Sequence, residues 1–233
     1  MDLNGMELSP IYDPDGNFLG TDDEGLQGKP IIMNRSDFEQ GMSHEAAMAK
    51  DLAPNGGDEY YAAIPDLGDY YKFYNHFMSL KDRPDYDGFV TISEGIAWAK
   101  AHPNALKNPT PNNTLYIDAA KLNFGNLSTH NFPLKQDVKA NVNLFNFVIW
   151  GNSTSMNTTY ALGNTQMQLL DSSTGTVKLF KDEYNWDFHH PFKDGKPQGT
   201  RDNLIYWERK RARLNDSHGF PVIIYGTGTI NTK

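Results

Sequence analysis

The sequence predicts an α+β fold, with most of its helix in the first half and a mainly antiparallel sheet in the second. Three observations predict it. Apolar residues recur at helical spacing over 43–52, 66–80 and 93–102; a two-strand pattern with a turn occupies 158–180; and no internal repeat is present. The 233 residues suffice for one large domain or two small ones, and a chain of this length buries a real core without covalent staples. Three segments are expected: 1–28, a hairpin and junction; 29–143, an α+β region; and 144–233, a mainly β region carrying the candidate site.

Composition excludes some functions. There is no cysteine, so disulfides and thiolate metal sites are ruled out. No run reaches the roughly 18 apolar residues of a membrane helix. The first ten residues lack a signal peptide's basic and apolar regions, so export is expected to depend on another chain or on a preceding portion. A net charge of -8 argues against a general nucleic-acid surface. The local cluster Glu208-Arg-Lys-Arg-Ala-Arg213 leaves a small basic patch open, and otherwise reads as the solvated face of a helix.

Taken in order, Asp13-Pro-Asp-Gly16 is a turn signal between strands expected near 10–13 and 17–20. The acidic run Asp22-Asp23-Glu24 lacks the alternating oxygen ligands of a calcium loop and reads as a solvated turn without metal. Lys29–Met33 reads as a strand, and Ser43–Leu52 as a helix with Ser43 at its N-cap. Asp66–Leu80 reads as a helix with an aromatic core-facing stripe, on which His76 is a partly buried group with a hydrogen-bond partner. Phe89–Ile92 reads as a short strand leading into a capped helix that ends at Pro103; Glu94 and His102 suit its two dipole ends. Thr114–Ile117 reads as a strand, 125–143 as a polar surface excursion and 141–150 as the return to the core.

In the last third, Thr158–Leu170 reads as a long strand that places Thr165, Met167 and Leu169 on one face and Gln166 and Gln168 on the other. Asp171–Gly175 turns it into a second strand, Thr176–Phe180. A loop over 182–200, a helix over 201–214, a stop at Asn215–Gly219 and a strand over 220–226 follow. The loop gathers Asp182, Tyr184, Asp187, His189 and His190. With Arg201 and His218 they form the candidate catalytic set, expected to face one another across a cleft. Asp182 and Asp187 suit a hard cation such as Mg2+ or Ca2+, whereas zinc would favour the histidines. The alternative is a loop anchored by Trp186 and Phe188 with solvated charges. Asp216 and His218 also have an ordinary role as turn residues before Gly219.

Two resemblances accompany these readings. Asn4-Gly-Met6 followed by Ser9-Pro-Ile-Tyr-Asp-Pro-Asp-Gly-Asn-Phe-Leu-Gly-Thr-Asp-Asp-Glu-Gly-Leu-Gln-Gly28 resembles the junction at which the core of Rhs (YD-repeat) polymorphic toxins gives way to the variable C-terminal tip. It implies a toxin tip enclosed by the repeat shell of its parent chain, delivered into a competitor, often by a type VI secretion system, and countered by an immunity protein. The second covers the last third: Tyr160-Ala-Leu-Gly163, then Asp182-x-Tyr184, Arg201 and Gly219-Phe-Pro-Val-Ile-Ile224 with Gly226 are similar in layout to the colicin M-like catalytic domain. Those enzymes are metal-dependent phosphodiesterases that cleave a peptidoglycan lipid precursor in the periplasm. The resemblance implies a metal on Asp182 or Asp187, Arg201 on the phosphate and a histidine moving a proton. It departs at Asn185, where the family has an aspartate, and in lacking an adjacent His-Arg pair. Competing classes are a glycan- or receptor-binding module using Trp150, Trp186 or Trp207 as stacking surfaces, and an intracellular nuclease using the basic cluster.

Overall fold

The computed structural model describes residues 9–54, 62–186 and 191–232, the side chains of Thr200 and Arg201 excepted. The fold is α+β. The chain divides into two compact units, Met1–Phe89 with Tyr116–Asp118, and Val90–Leu115 with Ala119–Lys233.

In the first unit β1 (Pro10–Tyr12) and β2 (Phe18–Thr21) pair antiparallel, and β3 (Ile31–Ile32) joins β1 in parallel. The connecting turn is built by Asp13, whose carboxyl accepts the amides of Asp15 and Asn17. Gly16 sits at φ +71, and a Cβ there would strike the Asp69 carbonyl, so glycine alone fits. Ile11, Leu19, Ile31, Met33 and Ala47 form the core beneath, with Phe38 and Met42 packed against it.

Helix α1 (His44–Met48) starts at Ser43, whose hydroxyl accepts the Ala46 amide at 3.2 Å. Helix α2 (Leu67–Ser79) starts at Asp66 and sets Phe73 edge-on against Tyr12 at 4.9 Å; the stripe expected to face the core does not, since Leu67, Tyr71, Tyr74 and Met78 are exposed and Phe73 is the buried residue. His76 accepts or donates at 2.8 Å to the Tyr12 hydroxyl, the kind of partner its place on the helix calls for. The acidic run differs from its expected form. Asp22 is buried, because its carboxyl gathers the amides of Glu24 and Gly25 and pairs with His44 Nδ1 at 2.8 Å. Compact backbone donors and an imidazole take the place of solvent.

Helix α3 (Ile92–Ala101) opens the second unit. Residues 89–91 are not a strand: Thr91 is an N-cap locked to Glu94 in a reciprocal capping box, so the chain enters the helix directly. The strand β4 (Leu115–Asp118) runs from the second unit into the first, where the Tyr116 amide donates to Asp85 and the Asp118 amide to the Gly88 carbonyl.

The next difference is larger. Residues expected to begin a long strand at Thr158 instead lie in helix α4 (Ser153–Leu162), capped by the Asn152 side chain and closed by Gly163 at φ 58. Two consecutive threonines favour strand intrinsically, but Ser155, Thr158, Thr159 and Leu162 are buried together on one helical face. The excursion at 125–143 ends in β5 (Lys139–Asn143), which pairs antiparallel with β6 (Asn164–Asp171), the strand that begins only after Gly163. Along β6, Thr165, Met167 and Leu169 are buried as the alternation requires. With β7 (Thr176–Leu179) and β10 (Gly228–Thr229) these strands complete a sheet in the order β10-β7-β6-β5. The expected boundary at 143 therefore falls between two residues of one folded unit. In a further sheet β8 (Asp182–Tyr184) pairs antiparallel with β9 (Phe220–Tyr225), and α5 (Gly199–Ala212) connects them. Helix is thus shared by both halves of the chain.

In the first unit the fully buried Asp85 receives a two-pronged contact from Arg83, Nε at 2.9 Å and Nη2 at 2.8 Å, besides the Tyr116 amide. Removing the charge strands a guanidinium that is itself only 9% exposed. We expect Asp85→Asn to lower the stability of this unit by about 3 kcal/mol, and Arg83→Met combined with it to recover part of the loss, since no uncompensated charge then remains. All four tryptophans, at 98, 150, 186 and 207, lie in the second unit, so the check is native-state hydrogen exchange at the β1 and Tyr116 amides.

Candidate functional site

Strand β8 and the residues after it, Asn185 and Trp186, run along one wall of a cavity of about 310 Å³ within the second unit. Helix α4 contributes Tyr160 and Leu162, and α5 contributes Leu204, Ile205 and Glu208, the i, i+1, i+4 face of that helix. Phe145 and Ile92 close the apolar side.

The β8 segment is held from several directions. Its register sets Asp182 opposite Val222 and Tyr184 opposite Phe220, with the Tyr184 and Phe220 rings stacked at 5.2 Å. Gly219 permits the close approach, since a Cβ there would stand 2.9 Å from the Tyr184 carbonyl and strike Leu106. Trp186, 2% exposed, donates its indole N–H to the His218 carbonyl at 3.1 Å, and its own carbonyl accepts from Arg209 at 3.0 Å. Arg209 also pairs with Asp216 at 2.8 Å.

Of the three acids on the cavity wall, Asp182, Glu183 and Glu208, Asp182 is the one whose carboxyl is drawn out of solvent. One carboxyl oxygen accepts the Glu183 amide at 2.8 Å, while Oδ2 is shut off from solvent and has no hydrogen-bond partner. Thr165, wholly buried on β6, stands beside the carboxyl, near enough to favour its charged form but short of a well-formed hydrogen bond. Burial pushes the Asp182 carboxyl above its ordinary range, against smaller opposing contributions from the Glu183 amide and Thr165. Burial, followed by the charge of Glu208, likewise raises the Tyr160 phenol, keeping it a hydrogen-bond donor at neutral pH. Glu208 is bound by Arg211 at 2.7 Å.

Of the expected catalytic set, Asp182 and Tyr184 border this cavity. His218 does not: its Nδ1 bonds to Asn215, within a reciprocal cap of the turn Asp216–His218, and what it gives the site is its backbone carbonyl. That is the turn-residue role the sequence also allows. Arg201 lies in the first turn of α5, its side chain not among those described, and Asp187, His189 and His190 fall outside the described residues. Among the described residues no three His, Asp or Glu side chains converge to hold a metal. Of the two carboxylates expected to take Mg2+ or Ca2+, Asp182 is thus the one with a described place, on the cavity wall. Trp186 is the buried anchor of its loop and offers no stacking surface, whereas Trp150 and Trp207 are 56% and 60% exposed.

Tyr160, Thr165 and Glu208 belong to the site without standing out in the sequence as functional residues. A strand reading of α4 hides Tyr160. Glu208 looks like the acidic end of a basic run, although helical spacing from Leu204 marks its face. That run is largely committed internally, Arg209 to Trp186 and Asp216, Arg211 to Glu208, and Lys210 over the Trp207 ring at 5.4 Å. No protein-family model, curated protein or solved structure matches the chain.

The raised Asp182 carboxyl gives stability a definite pH slope. Its contribution is fully present below the unfolded value of about 3.9 and is lost as pH rises through the higher folded value, because the unfolded chain then releases the proton more readily. Asp182→Asn removes the titration. The variant should therefore gain stability relative to wild type between about pH 4 and 7, read by chemical denaturation with tryptophan emission. A relative loss over that interval would contradict the burial argument.

Proposed function

We propose that this chain is the effector tip of an Rhs-type polymorphic toxin, carried by the shell of its parent chain and countered by an immunity protein. We further propose that its second unit hydrolyses an envelope lipid or glycan in the periplasm of the target cell. The setting rests on the junction-like residues Asn4–Gly28. The chemistry rests on one observation: a carboxyl at the edge of a cavity, held toward its protonated form by burial and with an oxygen that makes no well-formed hydrogen bond.

A carboxylic acid so placed suits proton donation to a leaving oxygen, since general acids are tuned upward by burial. Glu208, fixed by Arg211, supplies a second carboxyl and Tyr160 a neutral donor. The phosphodiesterase form of the reading, with Arg201 on phosphate and a cation on Asp182 and Asp187, is supported by the colicin M likeness and by the place of Asp182 and Tyr184 on the cavity wall. A second reading, a glycan- or receptor-binding module, is favoured by the exposure of Trp150 and Trp207. The internal engagement of the basic cluster weighs against the nuclease reading.

Expression with a periplasmic export signal should stop growth, and expression in the cytoplasm should not. Exported Asp182→Asn should lose about 100-fold or more of the killing activity while still accumulating as folded protein. Undiminished killing by that variant would remove Asp182 from the chemistry. Killing confined to the cytoplasm would replace the envelope target with an intracellular one.

A further inference from the structure

We propose that the solvent-facing side of α5, together with the tight turn that precedes it, docks on an anionic lipid surface. Both elements belong to the second unit. Leu204, Ile205 and Glu208 of α5 line the cavity, whereas Trp207 is 60% exposed and Lys210, one turn on, is exposed as well. The docking face is therefore not the cavity face, and the proposal does not rest on the chemistry assigned to the cavity.

The rings of this face are continuous. Phe192, 45% exposed, meets Tyr206 edge-on at 6.2 Å, and Tyr206 meets Trp207 in the same manner at 5.4 Å. Lys210 Nζ stands over the Trp207 ring at 5.4 Å. After Phe192 the chain turns through Lys193–Lys196, whose end residues exchange both backbone hydrogen bonds, at 2.9 and 3.0 Å. Asp194 and Gly195 between them take positive φ, 51 and 70, the reversal that a two-residue hairpin uses. Opposed residues of such a pair carry their side chains on one face, about 5.5 Å apart at Cα, and two lysines so placed repel. An anion that reaches both ammonium groups relieves that repulsion. Against these cations stand Asp194, in the turn itself, and Glu208, which Arg211 engages.

The composition of the face selects its partner. Protein–protein interfaces concentrate Trp, Tyr, Phe and Arg but are depleted in Lys, and the cations flanking these rings are Lys193, Lys196 and Lys210, all exposed. Aromatic rings set among flexible lysines match the headgroup layer of a bilayer, where Trp and Tyr lodge at headgroup depth and lysines reach anionic lipid phosphates. An uncharged glycan would use the Trp207 ring but gain nothing from the three cations. Single-stranded nucleic acid also stacks on rings, but it is held by a cationic groove that tracks its backbone, whereas a helix face and a turn tip are convex. The net charge of -8 does not oppose the docking. At physiological salt, exposed charges more than about 8 Å away are largely screened, so the local patch decides.

The test sediments the whole chain with vesicles of phosphatidylglycerol mixed into phosphatidylcholine, and with vesicles of phosphatidylcholine alone; a labelled single-stranded oligonucleotide is titrated separately. The chain should bind the mixed vesicles, leave them as salt rises and bind phosphatidylcholine far more weakly. Replacing Lys193, Lys196 and Lys210 together by Gln should lower the partition coefficient on the order of a hundredfold, since each lysine near an anionic surface contributes about fivefold. Trp207→Ala should lower it at least about tenfold, the value of a partly buried indole. All four side chains are exposed, and an unchanged far-ultraviolet circular dichroism spectrum confirms that each variant is folded. Mixed vesicles brominated on the acyl chains should quench tryptophan emission, and Trp207→Phe should lose most of that quenching. Binding to neither vesicle, equal binding to both, undiminished binding by the lysine variant or by Trp207→Ala, or quenching that survives Trp207→Phe overturns the proposal. Oligonucleotide binding without vesicle binding also overturns it and assigns the face to nucleic acid.

Discussion

A carboxyl taken out of water must find a cation or dense hydrogen bonding, or else hold its proton, and this constraint organises both units. In the first unit three buried aspartates each have a cationic or potentially cationic partner: Asp13 with Arg35 at 2.7 Å, Asp22 with His44 at 2.8 Å and Asp85 with Arg83 at 2.8 Å. At Asp13, burial alone would raise the carboxyl, but Arg35 and Asn17 more than offset it and hold it below its usual range. Asp22 stays above its usual range because burial outweighs His44 and the surrounding amides. Each of these side chains ties together segments that the sequence keeps apart, which is the structural use of a buried charge.

Asp182 stands apart because its surroundings provide neither solution. It has one backbone donor, a threonine near it that makes no well-formed hydrogen bond, and a cavity at its side. An arrangement of this kind costs stability, and the β8–β9 register is made by backbone groups that Asn or Ser would present equally. Departures from full polar satisfaction concentrate where a protein uses the unsatisfied group. By contrast, Arg209, Asp216 and His218 are used in holding Trp186 and the turn before β9. The division of labour between anchoring groups and an unsatisfied acid gives the cavity its chemical asymmetry.

Much of the fold is legible in the sequence because it depends on short-range signals. The Asp13–Gly16 turn, the cap at Ser43 and the alternation over Thr165–Leu169 each involve residues a few positions apart. The stretch at Thr158 shows where such signals compete. Asn152 and Gly163 mark the two ends of α4, but the threonines between them carry strand propensity, and only burial of their common face against the rest of the unit decides the outcome. Asp22 misleads for a related reason: three acidic residues in a row signal solvent, and the imidazole that draws one of them inward comes from His44, on a different element.

The same competition explains why half of the cavity is invisible in the sequence. Asp182 and Tyr184 can be found from their local motif, whereas Tyr160, Thr165 and Glu208 come from α4, β6 and α5 and meet them only through tertiary packing. Gly163 is the hinge of that geometry. With φ 58 it ends α4 and reverses the chain into β6, so that Tyr160 on the last turn of the helix and Thr165 on the second residue of the strand both arrive beside one carboxyl-bearing strand. A continuous strand through this stretch would separate Tyr160 from Thr165 by the rise of five extended residues, about 17 Å. The acid would then lie beside the threonine without the phenol, so the break in secondary structure that the threonines conceal is what assembles the site.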